Sequence, residues 1–440
     1  MLRIRQFIFW MAVCLCSPLT AQVRDAYIDS AHVARFLAED AGIVVEPAED
    51  DTVVAPEVRS SVADGAGFDT QWAEQFGQRM SNILQDPLLR STQMAVMVWD
   101  LSSDRAVFCH DEQQRMRPAS VQKCITAIAA LHRLGADYEF STKIYTTGDI
   151  DSTGTLHGSL CCVGGMDPLF ADADMRGFVD AVRKAGIRAV AGGLLADKNM
   201  KDDKPMGEGW CWDDDSSNPC LSPLTYGRRD RFLGELASRL RAAGVSVQGG
   251  YDDGALPPGA TLIGEERHSL RQVLRRMMKQ SDNLHAESVF YQLAKASGQR
   301  RAGARQARQE VNAVVREVGL TPSDYYVADG SGLSLYNYVS AEMVVRLLRL
   351  NYQDSTAHEA LLRTLPIAGR DGTLRSRLRG TAADGNVRAK TGTVARISTL
   401  AGFCTASNGH RLAFAILNQG SPKGRAARDL QDRVCRAMCE

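Results

Sequence analysis

Residues 117–131, RPASVQKCITAIAAL, decide how this chain is read. Pro118 stands near the start of a helical pattern in which Val121, Ile125 and Ile128 recur on one face, and Gly135 stops it. Ser120 therefore opens a helix, where backbone N–H groups lack partners and the dipole is positive, so an alkoxide or acyl oxyanion is stabilised there. Lys123 follows one turn later on the same face. Serine is a weak nucleophile until a base takes its proton. A lysine can be that base if burial and a second cation lower its pKa. Alone, Ser-x-x-Lys also describes a solvated lysine on an ordinary surface helix, so its meaning depends on what else the chain carries.

Two further triplets follow in order. Ser281-Asp282-Asn283 lies after an amphipathic stripe of Leu270, Val273, Leu274, Met277 and Met278 and before the helical pattern LHAESVFYQLAKASG, which makes it a helix-to-helix turn. There the Ser281 hydroxyl can relay a proton to a leaving group, and the Asn283 amide can hold a substrate carbonyl and the lysine together. The plainer alternative is a helix cap by Ser281 or Asp282, worth about 1 kcal/mol. Lys390-Thr391-Gly392-Thr393 sits in a β-type segment. Lys390 supplies the second cation, and with Thr391 it can bind a carboxylate. Gly392 would let a substrate backbone approach, and the Thr393 N–H could complete an oxyanion hole with that of Ser120. The alternative here is a charged, threonine-rich edge strand that resists aggregation. Ser-x-x-Lys and Lys-Thr-Gly each occur once in the chain, while Ser-x-Asn recurs at Ser216 to Asn218. The ordered trio is the informative signal.

The chain has 440 residues, 52 basic and 52 acidic side chains, 44% hydrophobic and 24% charged residues. That is a globular composition with length for two or three domains. The charge balance argues against a nucleic-acid partner, which would normally select a basic excess. No Gly-x-Ser-x-Gly, His-Glu-x-x-His, phosphate-loop or dinucleotide-glycine pattern occurs, and no Cys/His spacing implies a metal site, so no cofactor is expected.

Residues 1–21 read as a signal peptide: Arg3 and Arg5, the apolar run FIFWMAVCLC at 7–16, then SPLTA. Ten apolar residues fall short of the roughly 20 that span a bilayer, and no other run reaches that length. Cys14 and Cys16 raise lipoprotein anchoring as the alternative, without a convincing lipidation triplet before either. Residues 22–67 hold ten acidic and three basic side chains and read as an acidic linker, which leaves the rest of the chain mildly basic. The nine remaining cysteines are an odd number. Cys211 and Cys220 bracket a turn-rich loop and form the candidate disulfide. Cys161, Cys162, Cys435 and Cys439 read as small buried residues.

From Phe68 the pattern runs helix, then a hairpin over about 94–111, then the Ser120 helix. A β-β-α-β module follows over 138–225, and amphipathic helices come after about 225. The strands NVRAKTGTV, ISTLAGFCTA and RLAFAILNQG follow, the last two joined by a tight-turn signal at Asn408-Gly409. A final helix carries Leu430, Val434 and Met438.

The three motifs, with VGGMDPLF (163–170), GWCWDD (209–214), DGSGLSLYNYVS (329–340), LPIAGRDGTLRSRL (365–378) and VRAKTGTVARISTLAGF (387–403), resemble the serine penicillin-recognising enzymes. Over roughly residues 75–440 the chain is similar to the D-alanyl-D-alanine carboxypeptidase/endopeptidases among the class C low-molecular-mass penicillin-binding proteins. The resemblance implies an α+β, β-lactamase/transpeptidase-like fold: a five-stranded antiparallel sheet flanked by helices, a helical lobe, and Ser120 between them. It implies a catalytic domain of 68–137 and 226–440 with the α/β module 138–225 inserted.

It further implies a periplasmic enzyme that cleaves peptidoglycan stem peptides through an acyl-enzyme and is inhibited by β-lactams. Position by position, Ser120 would be the nucleophile and Lys123 the base. Ser281 and Asn283 would complete the relay and clamp, and Lys390, Thr391 and Thr393 would hold the substrate carboxylate and carbonyl. The glycine turns of DGSGLS and LPIAGRDGTL would shape the site. Two features depart from the family. Only 160 residues separate Ser120 from Ser281, and the Cys211–Cys220 loop has no counterpart. The competing readings are a β-lactamase or esterase on the same fold and a non-enzymatic cell-wall or β-lactam binding protein.

Overall fold

The computed structural model describes residues 67–211 and 217–440. The expected signal peptide, the acidic segment except Gly67, and residues 212–216 of the Cys211–Cys220 loop lie outside the described residues.

Asp69 caps helix α1 (Thr70–Leu84), whose Trp72, Phe76, Met80 and Ile83 form one buried stripe. Strands β1 (Gln93–Asp100) and β2 (Arg105–His110) form the expected hairpin, and α2 (Gln122–Leu134) follows the Ser120 turn. Next come β3 (Glu139–Thr146), β4 (Thr155–Leu156), β5 (Leu160–Val163), α3 (Asp172–Lys184), β6 (Ala189–Val190) and β7 (Leu194–Asp197). The chain continues through α4 (Phe232–Ala242), β8 (Ser246–Val247), β9 (Tyr251–Asp253) and β10 (Thr261–Ser269). Helices α5 (Leu270–Lys279), α6 (Asn283–Ala296), α7 (Ala304–Glu317), α8 (Ala341–Gln353) and α9 (Ser355–Leu362) precede β11 (Arg388–Val394), β12 (Ile397–Thr405), β13 (Arg411–Gln419) and α10 (Gly424–Cys439).

The main sheet has the order β11-β12-β13-β1-β2, antiparallel throughout, so the N-terminal hairpin joins the C-terminal strands as expected. Strands β12 and β13 are buried along nearly their whole length because both faces of the sheet are covered. Alternation sends Ala401, Phe403, Ala413, Ala415 and Leu417 toward the helical side. Leu400, Cys404, Leu412, Phe414 and Ile416 point the other way, where α1 and α10 lie. Helix α8 packs on β13 and β1, while α2, α5, α6 and α7 pack on one another as a helical lobe. Helix α6 is buried on all sides from Leu284 to Ala294, including the polar His285, Glu287, Ser288 and Gln292. Strand β11, which carries Lys390-Thr391-Gly392, is an edge of the main sheet.

The inserted module does not stop at residue 225. Its five-stranded sheet, β10-β3-β5-β7-β9, uses strands as far as Ser269, and a second sheet of two-residue strands joins β4, β6 and β8 in parallel. The segment 228–244, expected as the start of the helical lobe, contributes α4 to the module core instead. Phe232, Leu236 and Leu240 bury their stripe beside Phe170 and Phe178, with Phe170 and Phe232 ring centroids 4.9 Å apart. Strand β3 also needs β10 as its antiparallel partner. An amphipathic stripe announces burial but not the surface it will be buried against.

Candidate active site

Ser120 lies in one 3-10 turn, Ala119–Val121, that runs into α2. The turn is strained: Ala119 has φ +45, a left-handed conformation that costs a β-carbon-bearing residue about 1–3 kcal/mol. Three neighbours hold it. The Thr399 hydroxyl donates to Pro118 O at 2.7 Å. Gly332, itself at φ +80, presses on the turn so closely that a Cβ there would lie 1.8 Å from Ala119 O. A Cβ at Gly392 would lie 2.8 Å from Pro118 O and 2.9 Å from Ser120 N. Gly392 is thus required by the Ser120 turn itself, whose backbone a Cβ would meet.

Lys123 is fully buried. Its Nζ lies 3.1 Å from Ser120 Oγ, 2.8 Å from Asn283 Oδ1 and 2.7 Å from Ser331 O. An ammonium can donate to all three. A neutral amine keeps two donors for the Asn283 and Ser331 oxygens and turns its lone pair on the Ser120 hydroxyl, which is the arrangement a base needs. Burial lowers its pKa from the usual lysine value to about 8, against the opposing pull of Asp329, Glu287 and Asp282. Lys390 is also fully buried, and its pKa is lowered well below the lysine range by burial and then by repulsion from Lys123. The second-cation effect expected on Lys123 therefore falls mainly on Lys390.

Lys390 Nζ donates to Ser281 Oγ at 2.9 Å and to Thr391 O at 2.5 Å. Ser281 adopts φ +60, and Asp282, not Ser281, caps α6 by accepting the His285 amide. The cap expected of this triplet thus falls on Asp282, which leaves the Ser281 hydroxyl to Lys390. Burial alone would raise the Asp282 carboxyl, but hydrogen bonds from His285 and Arg228 outweigh it and hold it far below the usual range. Arg228 binds Asp282 through two nitrogens and Arg276 adds a third contact at 3.0 Å, which anchors the start of α6.

Asn283 uses its oxygen on Lys123 and donates its amide nitrogen to Ser217 O at 3.1 Å. The Cys211–Cys220 loop thus reaches the site. Cys211 and Cys220, the expected pair, carry free thiols here, as do all nine described cysteines, and the Asn218 amide donates to Cys211 O. The Thr391 hydroxyl donates to Thr373 at 2.7 Å, in the glycine turn 365–378. Thr393 is exposed on the β11 edge, one residue past the contact between Gly392 and Ser120.

Several contributors were not singled out from sequence. Glu287, one turn after Asn283 and fully buried, accepts the Gly330 and Ser331 amides, so it supports the carbonyl that Lys123 binds. Burial, then the neighbouring Asp329, raises its carboxyl to about 8. Asp329 anchors the 329–337 turn by accepting the Gly332 and Ser334 amides, the Asn337 side chain and the Trp210 indole. Thr126 donates to Gly330 O. The quoted DGSGLS turn was the available signal for this region. Nothing marks Glu287 as special, since a glutamate in a helical pattern is ordinarily solvated.

Comparison with known proteins is consistent with this geometry. The protein-family model described as the D-Ala-D-Ala carboxypeptidase 3 (S13) family matches residues 76–225 and 228–438. The chain is 28% identical to a D-alanyl-D-alanine carboxypeptidase of Actinomadura sp. (strain R39), over 81% of this chain and 83% of that protein. It is 32% identical to carboxypeptidase DacB of Mycolicibacterium smegmatis, over 73% of this chain and 75% of the relative. The crystal structure of penicillin binding protein 4 (dacB) from Haemophilus influenzae superposes with a TM-score of 0.72 at 23% identity, covering 81% of this chain and 97% of that one, which is a likeness of fold. The match across nearly all the described residues means that this chain belongs to the D-Ala-D-Ala carboxypeptidase 3 (S13) family.

Proposed function

We propose that the protein is a serine DD-carboxypeptidase and DD-endopeptidase that acts on peptidoglycan stem peptides through an acyl-enzyme on Ser120. The observation that carries this reading is the hydrogen-bonded set Asn283–Lys123–Ser120 beside the Lys390–Ser281 pair. In the acylation step Ser120 Oγ attacks the carbonyl carbon of the penultimate D-Ala and passes its proton to neutral Lys123 Nζ. The oxyanion draws on the N–H groups of Ser120 and Thr393. The C–N bond breaks, and the departing amine takes a proton relayed through the Ser281 hydroxyl. Water then attacks the Ser120 ester by the reverse route and frees the enzyme. Lys390 and Thr391 receive the terminal carboxylate, whose charge favours the ammonium form of Lys390 that burial disfavours.

A β-lactam presents a similar carbonyl and carboxylate, so it enters the same first step and remains as the Ser120 ester. The substrate lies outside the inner membrane, and the leader-like residues 1–21 agree with export. No helix among the described residues is long and apolar enough to cross a membrane. The test is mass spectrometry of muropeptides incubated with the purified protein. Loss of one D-Ala from pentapeptides reports carboxypeptidase action, and monomers released from cross-linked dimers report endopeptidase action. Unchanged muropeptides would count against both.

A further inference from the structure

Three of the free thiols converge between the main sheet and α10. Cys404 on β12, with Cys435 and Cys439 on α10, belongs to the apolar core on that face of the sheet. The Cys439 thiol, ahead of burial and of Cys435, is the largest influence that raises the Cys404 thiol. Independent contacts bring the same two segments together. The Asn386 amide donates to Thr405 O at 2.7 Å and also lies 3.4 Å from Cys439 Sγ, and its oxygen accepts the Thr405 N–H at 2.8 Å. Ser407 donates to Glu440 O. Cys404 and Cys439 are each 5% exposed, whereas Cys435 is at 0%, so the first two lie at the rim of the core and the third inside it.

We propose that Cys404 and Cys439 form a disulfide that staples α10 to β12. The step is thiol–disulfide exchange with a protein or glutathione disulfide. One protein thiolate attacks that disulfide and expels one of its thiolates. The second protein thiolate attacks the resulting mixed disulfide and expels the other, so the pair's two electrons and two protons end on the oxidant's thiols. The neighbouring Cys439 thiol and burial hold Cys404 well above the usual thiol pKa in the folded chain, which places the exchange during folding, before the pair is covered. The bridge closes the loop 404–439 and restricts the unfolded chain, and α10 carries much of the core on its face of the sheet. An oxidising compartment, as the proposed export requires, preserves such a bond.

The test uses the full chain, both exported and refolded from denaturant in a glutathione redox buffer. After alkylation without reductant, trypsin separates residues 397–411, 434–436 and 437–440, so each thiol reports on its own peptide. A linked species of 397–411 with 437–440, released by reduction, is the expected result. Oxidised protein should also unfold several degrees above reduced protein. That difference should vanish in Cys404→Ser and in Cys439→Ser and persist in Cys435→Ser. Free Cys404 and Cys439 after both treatments, or linkage of 397–411 to 434–436, overturns the proposal, and an unfolding midpoint insensitive to reductant overturns the stapling role. None of these readouts depends on peptidase activity.

Discussion

Lys390 Nζ donates to the Ser281 hydroxyl at 2.9 Å, joining an edge strand to the left-handed residue just before a helix cap. The bond leaves Ser281 oriented by a fully buried lysine, a fixed geometry for passing a proton. Ser281→Ala should slow acylation by a fluorescent penicillin by about 10²–10⁴-fold, the usual size of a general acid–base contribution. Second-order labelling rate constants give the comparison, and a rate within threefold of the parent would remove Ser281 from the relay.

Ser120→Ala should abolish labelling while the unfolding midpoint stays near that of the parent, because its hydroxyl contacts Lys123 and the replacement keeps the backbone turn. Lys123→Ala should also lose acylation. Persistent labelling of either variant contradicts the assigned roles.

The pH dependence follows from Lys123. Burial lowers its pKa to about 8, and only the neutral amine can accept the Ser120 proton. Acylation should therefore rise with pH through about 8 and level off above it, the fraction of base increasing as the ammonium is lost. A profile of kcat/KM against pH that is flat or falling across that interval would exclude Lys123 as the base.

Gly392→Ala places a Cβ against backbone atoms of Pro118 and Ser120, which cannot move without displacing the nucleophile. Labelling should fall at least about tenfold. Gly77→Ala serves as the contrast: it lies within α1 with nothing within 4 Å of the added carbon, and it should raise stability by up to about 1 kcal/mol with labelling unchanged. Equal labelling by the two variants would mean that the close approach at Gly392 does not position Ser120.

His268, at the end of β10, lies 2.6 Å from buried Asp167 in the 163–170 turn, and that hydrogen bond raises its pKa. A folded pKa above the unfolded one stabilises fully below about pH 6.5 and loses that contribution as pH rises through the folded value. His268→Gln should thus cost more at about pH 5.5 than at about pH 9. Denaturant melts at both pH values check this, and an equal cost at both would show that the charge on His268 plays no part.

What was legible in the sequence was local. A serine at a helix start, a lysine one turn on, an asparagine at a helix turn and a lysine on a strand are each visible from spacing of three or four residues, or from alternation. The β12–β13 hairpin announced itself through Asn408-Gly409, where Gly409 takes φ +86. Their order along the chain was enough to indicate the family and to name Ser120, Lys123, Asn283, Ser281 and Lys390, which the structure links by hydrogen bonds in two sets.

The rest depended on packing between segments far apart in the chain. Glu287 supports Ser331 because α6 is enclosed by other helices, and its pattern alone does not distinguish an enclosed helix from a half-exposed one. The inserted module continued past residue 225 because α4 and β10 found partners in residues 139–197, a choice of surface rather than of pattern. Gly392 faces Pro118 and Ser120, and Cys404 shares a core with Cys439. Periodicity records which face of an element is covered. Only the closed tertiary structure, in which each buried polar group has to find a partner, decides what covers it.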